Sequence, residues 1–320
     1  MAHEIYNDTA YAGTEAAWHG LGTVLPEAKT MTELAQAAGL DRIEYSKTPL
    51  FFEVETLTDT FHHQFPGRNA MLVNGLKPIA VVGDEYEWHQ PYELYGSIDR
   101  LITAGGWKPE TALALGQAET TSYCTNLGGW SMTGNDRVID RLLITDTVDG
   151  RHALTIAIVP TRVVCANTLR LALNRASVRV NLVHKAGHKV DYNRAVDAII
   201  KAQNNVREAL TDLSRIPFTK DKMLAVYAEL FNEKGDDSAV GVALVRRMGE
   251  LQQTAAGFAM RMVKDQGLPF DGWAVFNGAS EAVEHGAIMP KLSTKIGLML
   301  GRGKPNEYVS RAYELVLRSK

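Results

Sequence analysis

The chain has 320 residues, of which 45% are apolar and 22% charged, with a formal net charge of −3. It is too apolar to be disordered, long enough for one large domain or two ordinary ones, and too acidic to be a simple polycation. Two cysteines, Cys124 and Cys165, neither in a CxxC, exclude a disulfide framework and speak against a zinc cluster.

No run approaches 18 apolar residues, and Met1–Tyr6 has no basic stretch followed by an apolar one. A soluble protein of a reducing cytoplasm, without membrane association, is expected. In the first segment, Trp18-His19-Gly20-Leu21-Gly22 reads as an irregular loop around one large ring. Thr30 and Glu33 form a capping-box pattern that opens a short helix, and Gly39 ends it. Residues 43–54 are rich in β-branched and aromatic side chains. Residues 70–73 and 78–82 flank Asn74-Gly75, the strongest short hairpin signal.

Gly83-Asp84-Glu85-Tyr86-Glu87-Trp88-His89 follows. As extended chain it would put Tyr86 and Trp88 on one face and Glu85, Glu87 and His89 on the other. Two carboxylates and an imidazole are a donor set for a divalent cation. With no second His/Asp cluster nearby in sequence, a solvated strand face is the expected reading. Residues 91–104 read as a helix that Gly105-Gly106 stops. Residues 107–160 look β, with runs at 120–125, 141–147 and 153–159 separated by turn signals, which implies an antiparallel meander. No GxGxxG or GxxxxGK[ST] opens a helix, and no GxSxG, HExxH or HxE…PCxxC is present.

At Thr161–Leu173 the apolar run ends and a tight turn at Asn167-Thr168 is expected to start a helix. Arg162 offers a planar fork suited to phosphate or carboxylate, and Asn167 or Thr168 can cap the helix. Arg162 is equally suited to pairing with a core acid. Cys165, between Val164 and Ala166, reads as a packed small hydrophobe. Residues 162–194 carry seven Lys/Arg against Asp191 alone, and residues 291–320 carry seven against Glu307 and Glu314. Residues 1–60 carry ten Asp/Glu and three Lys/Arg. Local basic segments on a mildly acidic body point to an anionic partner. Arg179-Val180-Asn181-Leu182 alternates as a last strand.

From Tyr192 the pattern turns helical. Tyr192, Val196, Ile199, Gln203, Val206, Leu210 and Leu213 form a heptad-like seam with Gln203 as its one polar member. Further helices are expected over 221–233, 239–265, from Gly272 to His285, and from Pro305 onward. Asn277, Glu281 and His285 share one helix face and are compatible with metal or acid–base work. The fold class is therefore α+β: an antiparallel curved sheet or meander with packed helices, then a helical C-terminal region. The organisation reads as a β-rich core over 1–190 and a helical region over 191–320.

Several pieces together carry a resemblance: Trp18-His19-Gly20-Leu21-Gly22, Val81-Val82-Gly83-Asp84-Glu85-Tyr86, Arg162-Val163-Val164-Cys165-Ala166-Asn167-Thr168-Leu169, and Phe276-Asn277-Gly278-Ala279-Ser280-Glu281-Ala282-Val283-Glu284-His285. In this order the chain resembles phage- and plasmid-borne proteins grouped as a domain of unknown function. Its last piece departs from the family's usual Tyr-Asn-Ala-Val-Thr-Glu-Tyr form. The element order is also similar to that of the phage single-strand annealing (Rad-fifty-two-like) proteins. That similarity implies an ATP-independent ring- or filament-forming homo-oligomer that binds and anneals single-stranded DNA in a bacterial host. The expected DNA-binding residues are Arg162, Asn167, Arg170, Arg175, Arg179, Lys185 and Lys189, with Tyr86, Trp88 and Tyr92 as stacking rings. No cofactor or metal and no catalytic residue is assigned. The alternatives are a metal-dependent nuclease or nucleotide-modifying enzyme at the Glu85/Glu87/His89 or Asn277/Glu281/His285 face, and a factor that blocks host defence by binding a host protein.

Overall fold

A computed structural model describes residues 5–12, 22–132, 136–162, 167–168, 179–184, 192–232, 238–285 and 304–320. The fold is α+β. Strands β1 (Ile5–Ala12), β2 (Thr23–Leu25), β6 (Lys108–Leu115), β7 (Thr120–Ser131), β8 (Arg137–Thr147), β9 (Leu154–Arg162) and β10 (Asn167–Thr168) form one sheet in the order β10-β9-β8-β7-β6-β1-β2, and β11 (Arg179–Leu182) pairs with β9. The sheet is mixed, because β1 and β2 run parallel. β3 (Tyr45–Glu55), β4 (Thr60–Val73) and β5 (Lys77–Gly83) form a separate antiparallel meander. The helices are α1 (Met31–Ala37), α2 (Pro91–Gly105), α3 (Tyr192–Ser214), α4 (Lys220–Leu230), α5 (Ala239–Asp265), α6 (Gly272–His285) and α7 (Lys304–Arg318).

Contacts divide the chain into two units. The first comprises Met1–Leu127, Leu142–Ala157 and Arg179–Asp197, and the second Gly128–Arg141, Ile158–Val178 and Ala198–Lys320. In the first unit local chemistry sets the element ends. Thr30 and Glu33 close a reciprocal capping box on α1, and Asp99 of α2 accepts from the Met31 and Thr32 backbone N–H groups. Pro91 occupies the first turn of α2, Gln90 and Glu93 cap it, and Gly106 at φ 63° terminates it. Asn74 and Gly75, at φ 54° and 67°, make the β4–β5 turn.

β1 is not expected from the sequence, and β6 falls within the β-rich stretch 107–160 without standing out as a run of its own. β6 and the second half of β8 are buried almost throughout, so neither shows the period-2 signature of a half-buried strand. The segment after β5 also differs from expectation. Tyr86 N–H donates to the Gly83 carbonyl at 3.2 Å, so residues 83–86 form a turn. Glu85 and Glu87 therefore do not form a strand face with His89.

The second unit is built on α3–α7. Trp273, Tyr227, Phe231 and Phe276 are its largest fully buried side chains, and Val206, Leu210 and Leu213 bury the seam of α3. α5 and α6 pack closely at Gly278, where an added Cβ would lie 2.4 Å from the Tyr227 hydroxyl and 2.5 Å from the Ala255 carbonyl oxygen. The polar seam residue Gln203 has a structural purpose. Its amide donates to Asp140 Oδ2 at 2.7 Å, Arg207 Nε donates to the same oxygen at 2.8 Å, and Trp130 Nε1 donates to Oδ1 at 3.1 Å.

Candidate metal centre

His89, Asp146 and His184 meet in the first unit, with their ligand atoms all within 4.8 Å of one another. Three different elements deliver them. His89 lies between the turn after β5 and the start of α2. Asp146 is the penultimate residue of β8. His184 follows β11, whose register on β9 (Arg179 opposite Ala157, Leu182 opposite Leu154) fixes where the chain emerges. On β8 the neighbours of Asp146 point the other way: Thr145 meets Ser122 and Thr147 meets Thr120, each at 3.1 Å across to β7. The pleat therefore aims Asp146 to the face opposite those threonines.

The Asp146 and His184 side chains are 1% and 2% exposed, and that of His89 is 23% exposed. His184 Nε2 is 2.9 Å from Asp146 Oδ1, and His89 Nδ1 is 3.7 Å from Asp146 Oδ2. Yet among the described residues both carboxylate oxygens, both His184 nitrogens and His89 Nδ1 are buried without an aligned hydrogen bond. Close approach without N–H alignment is unusual for a proton-held pair, which turns its donor toward the acceptor. Ligands around one cation, with bonds of about 2.0–2.1 Å, lie roughly 2.9–3.4 Å apart; the His184–Asp146 pair at 2.9 Å has that spacing, while His89 at 3.7 Å stands farther off.

Burial alone would raise the Asp146 carboxyl. The two imidazoles, His184 more than His89, outweigh it and hold Asp146 below the usual carboxylate range. His89 is raised above the ordinary imidazole value, chiefly by its contact with Asp146 and against its own burial. The Tyr86 ring packs on His184 at 5.2 Å between centroids, and its phenol is pushed well up by burial and then by the Asp146 charge. The His89 and His184 rings are 5.9 Å apart.

The residues expected to bind DNA fare differently. Arg162 and Asn167 face each other in register across β9 and β10. Asn167 therefore sits in a strand pair, and the helix expected after it falls on residues outside the described ones. Arg179 opens β11. Arg170, Arg175, Lys185 and Lys189, and Cys165 with them, lie outside the described residues. Of the expected stacking rings, Tyr86 is engaged by His184, Trp88 lies under the Lys47 ammonium at 5.9 Å, and Tyr92 is exposed. In the alternative enzyme face, Asn277 is buried and its amide donates to the Trp273 carbonyl of its own helix at 2.9 Å.

Sequence reasoning singled out His89 but gave it Glu85 and Glu87 as partners. It placed His184 only within a basic segment and passed over Asp146. One signal was available: Asp146 stands two residues after the apolar run Leu142-Leu143-Ile144, and an acid in a buried strand needs partners.

Residues 78–315 match the family described as a domain of unknown function, DUF932. That span includes all three residues of the centre. No curated protein and no solved structure matches the chain.

Proposed function

The chain belongs to the DUF932 family, and we propose that this member is a metal-dependent enzyme acting on a phosphate-bearing substrate, nucleic acid foremost. The carrying observation is the convergence of His89, Asp146 and His184 with buried, unaligned donor atoms. Two imidazoles and one carboxylate suit a first-row transition ion better than magnesium or calcium, which prefer all-oxygen sites. Three protein ligands are the number found in catalytic sites, which keep a coordination position for water or substrate. Such an ion supplies a hydroxide near neutral pH and neutralises charge developing on a phosphoryl oxygen. The partial exposure of His89 marks the side from which substrate enters. His184 lies in the basic segment, after Arg179 and directly before Lys185, with Lys189 beyond. A phosphate drawn to those cations arrives beside the centre.

The test is metal analysis of the full chain, followed by incubation of labelled single-stranded DNA and RNA with cobalt, manganese, zinc or iron. The expected result is stoichiometric metal and turnover that a chelator stops and the ion restores. A protein that neither retains metal on purification nor binds these ions in a calorimetric titration sinks the proposal.

A second reading is a single-stranded-DNA-binding and annealing homo-oligomer of phages and plasmids working in the bacterial cytoplasm. It is supported by the register that sets Arg162 against Asn167 at the entrance to the same basic segment. It requires binding that persists in chelator and weakens steeply with salt and with Arg162→Ala plus Arg179→Ala.

A further inference from the structure

We infer that the Tyr86 hydroxyl is the hydrogen-bond donor that holds a substrate oxyanion at this metal centre, an inference that rests on the metal reading above. Tyr86 stands three residues before His89, with its ring on that of His184. Its backbone is tied on both sides. Its N–H donates to the Gly83 carbonyl, and Lys47 Nζ donates to the carbonyls of Asp84 at 2.7 Å and Tyr86 at 3.2 Å. A donor held this firmly needs no reorganisation when charge arrives beside it.

The hydroxyl itself distinguishes Tyr86 from three buried tyrosines. Tyr45 donates to the Ala118 carbonyl at 2.6 Å, Tyr123 to that of Pro91 at 3.5 Å, and Tyr227 to that of Val275 at 2.7 Å. Tyr86 is half-buried, but its hydroxyl oxygen is shielded and donates no aligned hydrogen bond among the described residues. The Gly150 backbone lies beside it, and a donation from that N–H uses a lone pair and leaves the phenol proton unspent. A phenylalanine ring would pack on His184 as well. Among the described residues no group accepts the phenol proton. Beside an Asp–His–His centre, the matching acceptor is an oxygen of a metal-bound phosphate. The hydroxyl donates a hydrogen bond and transfers no proton.

The experiment uses the full chain loaded with Co(II), whose visible spectrum reports both metal and anion binding, with inorganic phosphate as the probe. Tyr86→Phe keeps the ring and removes only the donor. The expected result is unchanged cobalt affinity and phosphate affinity roughly tenfold weaker or more, the size of a lost hydrogen bond to a charged acceptor. Unchanged phosphate affinity with cobalt bound overturns the inference and leaves the metal centre standing. Loss of cobalt itself makes Tyr86 a ligand and overturns the donor role. Failure of the parent protein to bind cobalt removes the metal reading, and this inference with it. The thermal midpoint of metal-free Tyr86→Phe, expected at or above that of the parent, guards against misfolding as the cause.

Discussion

Asp140 and Asp146 stand on the same strand, six residues apart, and both are fully buried. Their surroundings differ in one respect. Asp140 receives an aligned hydrogen bond on each oxygen, from Trp130, Gln203 and Arg207, and Arg207 also lies over the Trp130 ring at 5.8 Å. Asp146 has two imidazoles within reach and an aligned bond from neither. A buried carboxylate whose acceptors are filled by the protein is part of the scaffold. One whose imidazole neighbours come within 2.9 and 3.7 Å without an aligned N–H is the position we propose for a cation. Burial and charge alone do not separate the two; hydrogen-bond direction does.

Breaking the scaffold side of this comparison has the largest expected effect. Asp140→Ala leaves the Arg207 guanidinium, the Gln203 amide and the Trp130 N–H without their acceptor, and should lower stability by about 3–5 kcal/mol. Asp146→Ala removes an acceptor that no aligned donor uses, and in chelator it should cost clearly less. Urea unfolding of both variants in chelator checks this, and equal losses would make the two networks alike. The next effect runs in the opposite direction. Zinc or cobalt at about a hundred times its dissociation constant should stabilise the parent protein by about 2.7 kcal/mol. His184→Ala and Asp146→Ala should show no such gain in a thermal melt.

Asp271 is an intermediate case that sharpens the contrast. Its Oδ1 accepts from the Ala274 N–H at the start of α6, while its Oδ2 is buried without a partner. Burial pushes its carboxyl up to about 6. Because the folded value lies above the unfolded one, its contribution is full below about pH 4 and is lost as pH rises through about 6. Stability should fall across that window by on the order of 2 kcal/mol, and Asp271→Asn, which keeps the cap acceptor, should flatten the fall. The smallest effect is at His89. In metal-free protein its raised value makes its contribution full below about pH 6.5 and lost as pH rises through the folded value. The lowered Asp146 contributes above its ordinary range, and that contribution is lost as pH falls through the depressed value. Metal affinity should run the other way and increase with pH as the imidazoles lose their protons. His89→Gln should remove the first dependence and weaken the second, as read from melts and cobalt titrations across pH 5–8.

Much of the scaffold was legible in residue order. The capping pair Thr30 and Glu33, the Asn74-Gly75 turn, the Pro91 helix start and the seam from Tyr192 to Leu213 act between neighbours in sequence. They read correctly because their physics is local. Within the stretch 107–160, read as β, β6 did not stand out as a run, because burial on both faces erases alternation. The centre did not read either. His89 looked like part of a strand face with Glu85 and Glu87 until the turn at Gly83–Tyr86 separated them. His184 looked like one more polar residue among cations. Gln203 looked like a flaw in an apolar seam until Asp140 was found to fill it.

By itself the sequence determined the α+β class, the order of most elements and the basic segment around His184. Composition, capping chemistry and hydrophobic period depend only on residues close in the chain. Only the tertiary structure shows that the Asp140 oxygens are filled by aligned donors, that His89 and His184 gather at Asp146, and that the Tyr86 ring packs on His184. Those distinctions depend on the β11 register that brings His184 to β8, and on the angle at which an N–H meets an oxygen. Neither is encoded at any fixed spacing along the chain.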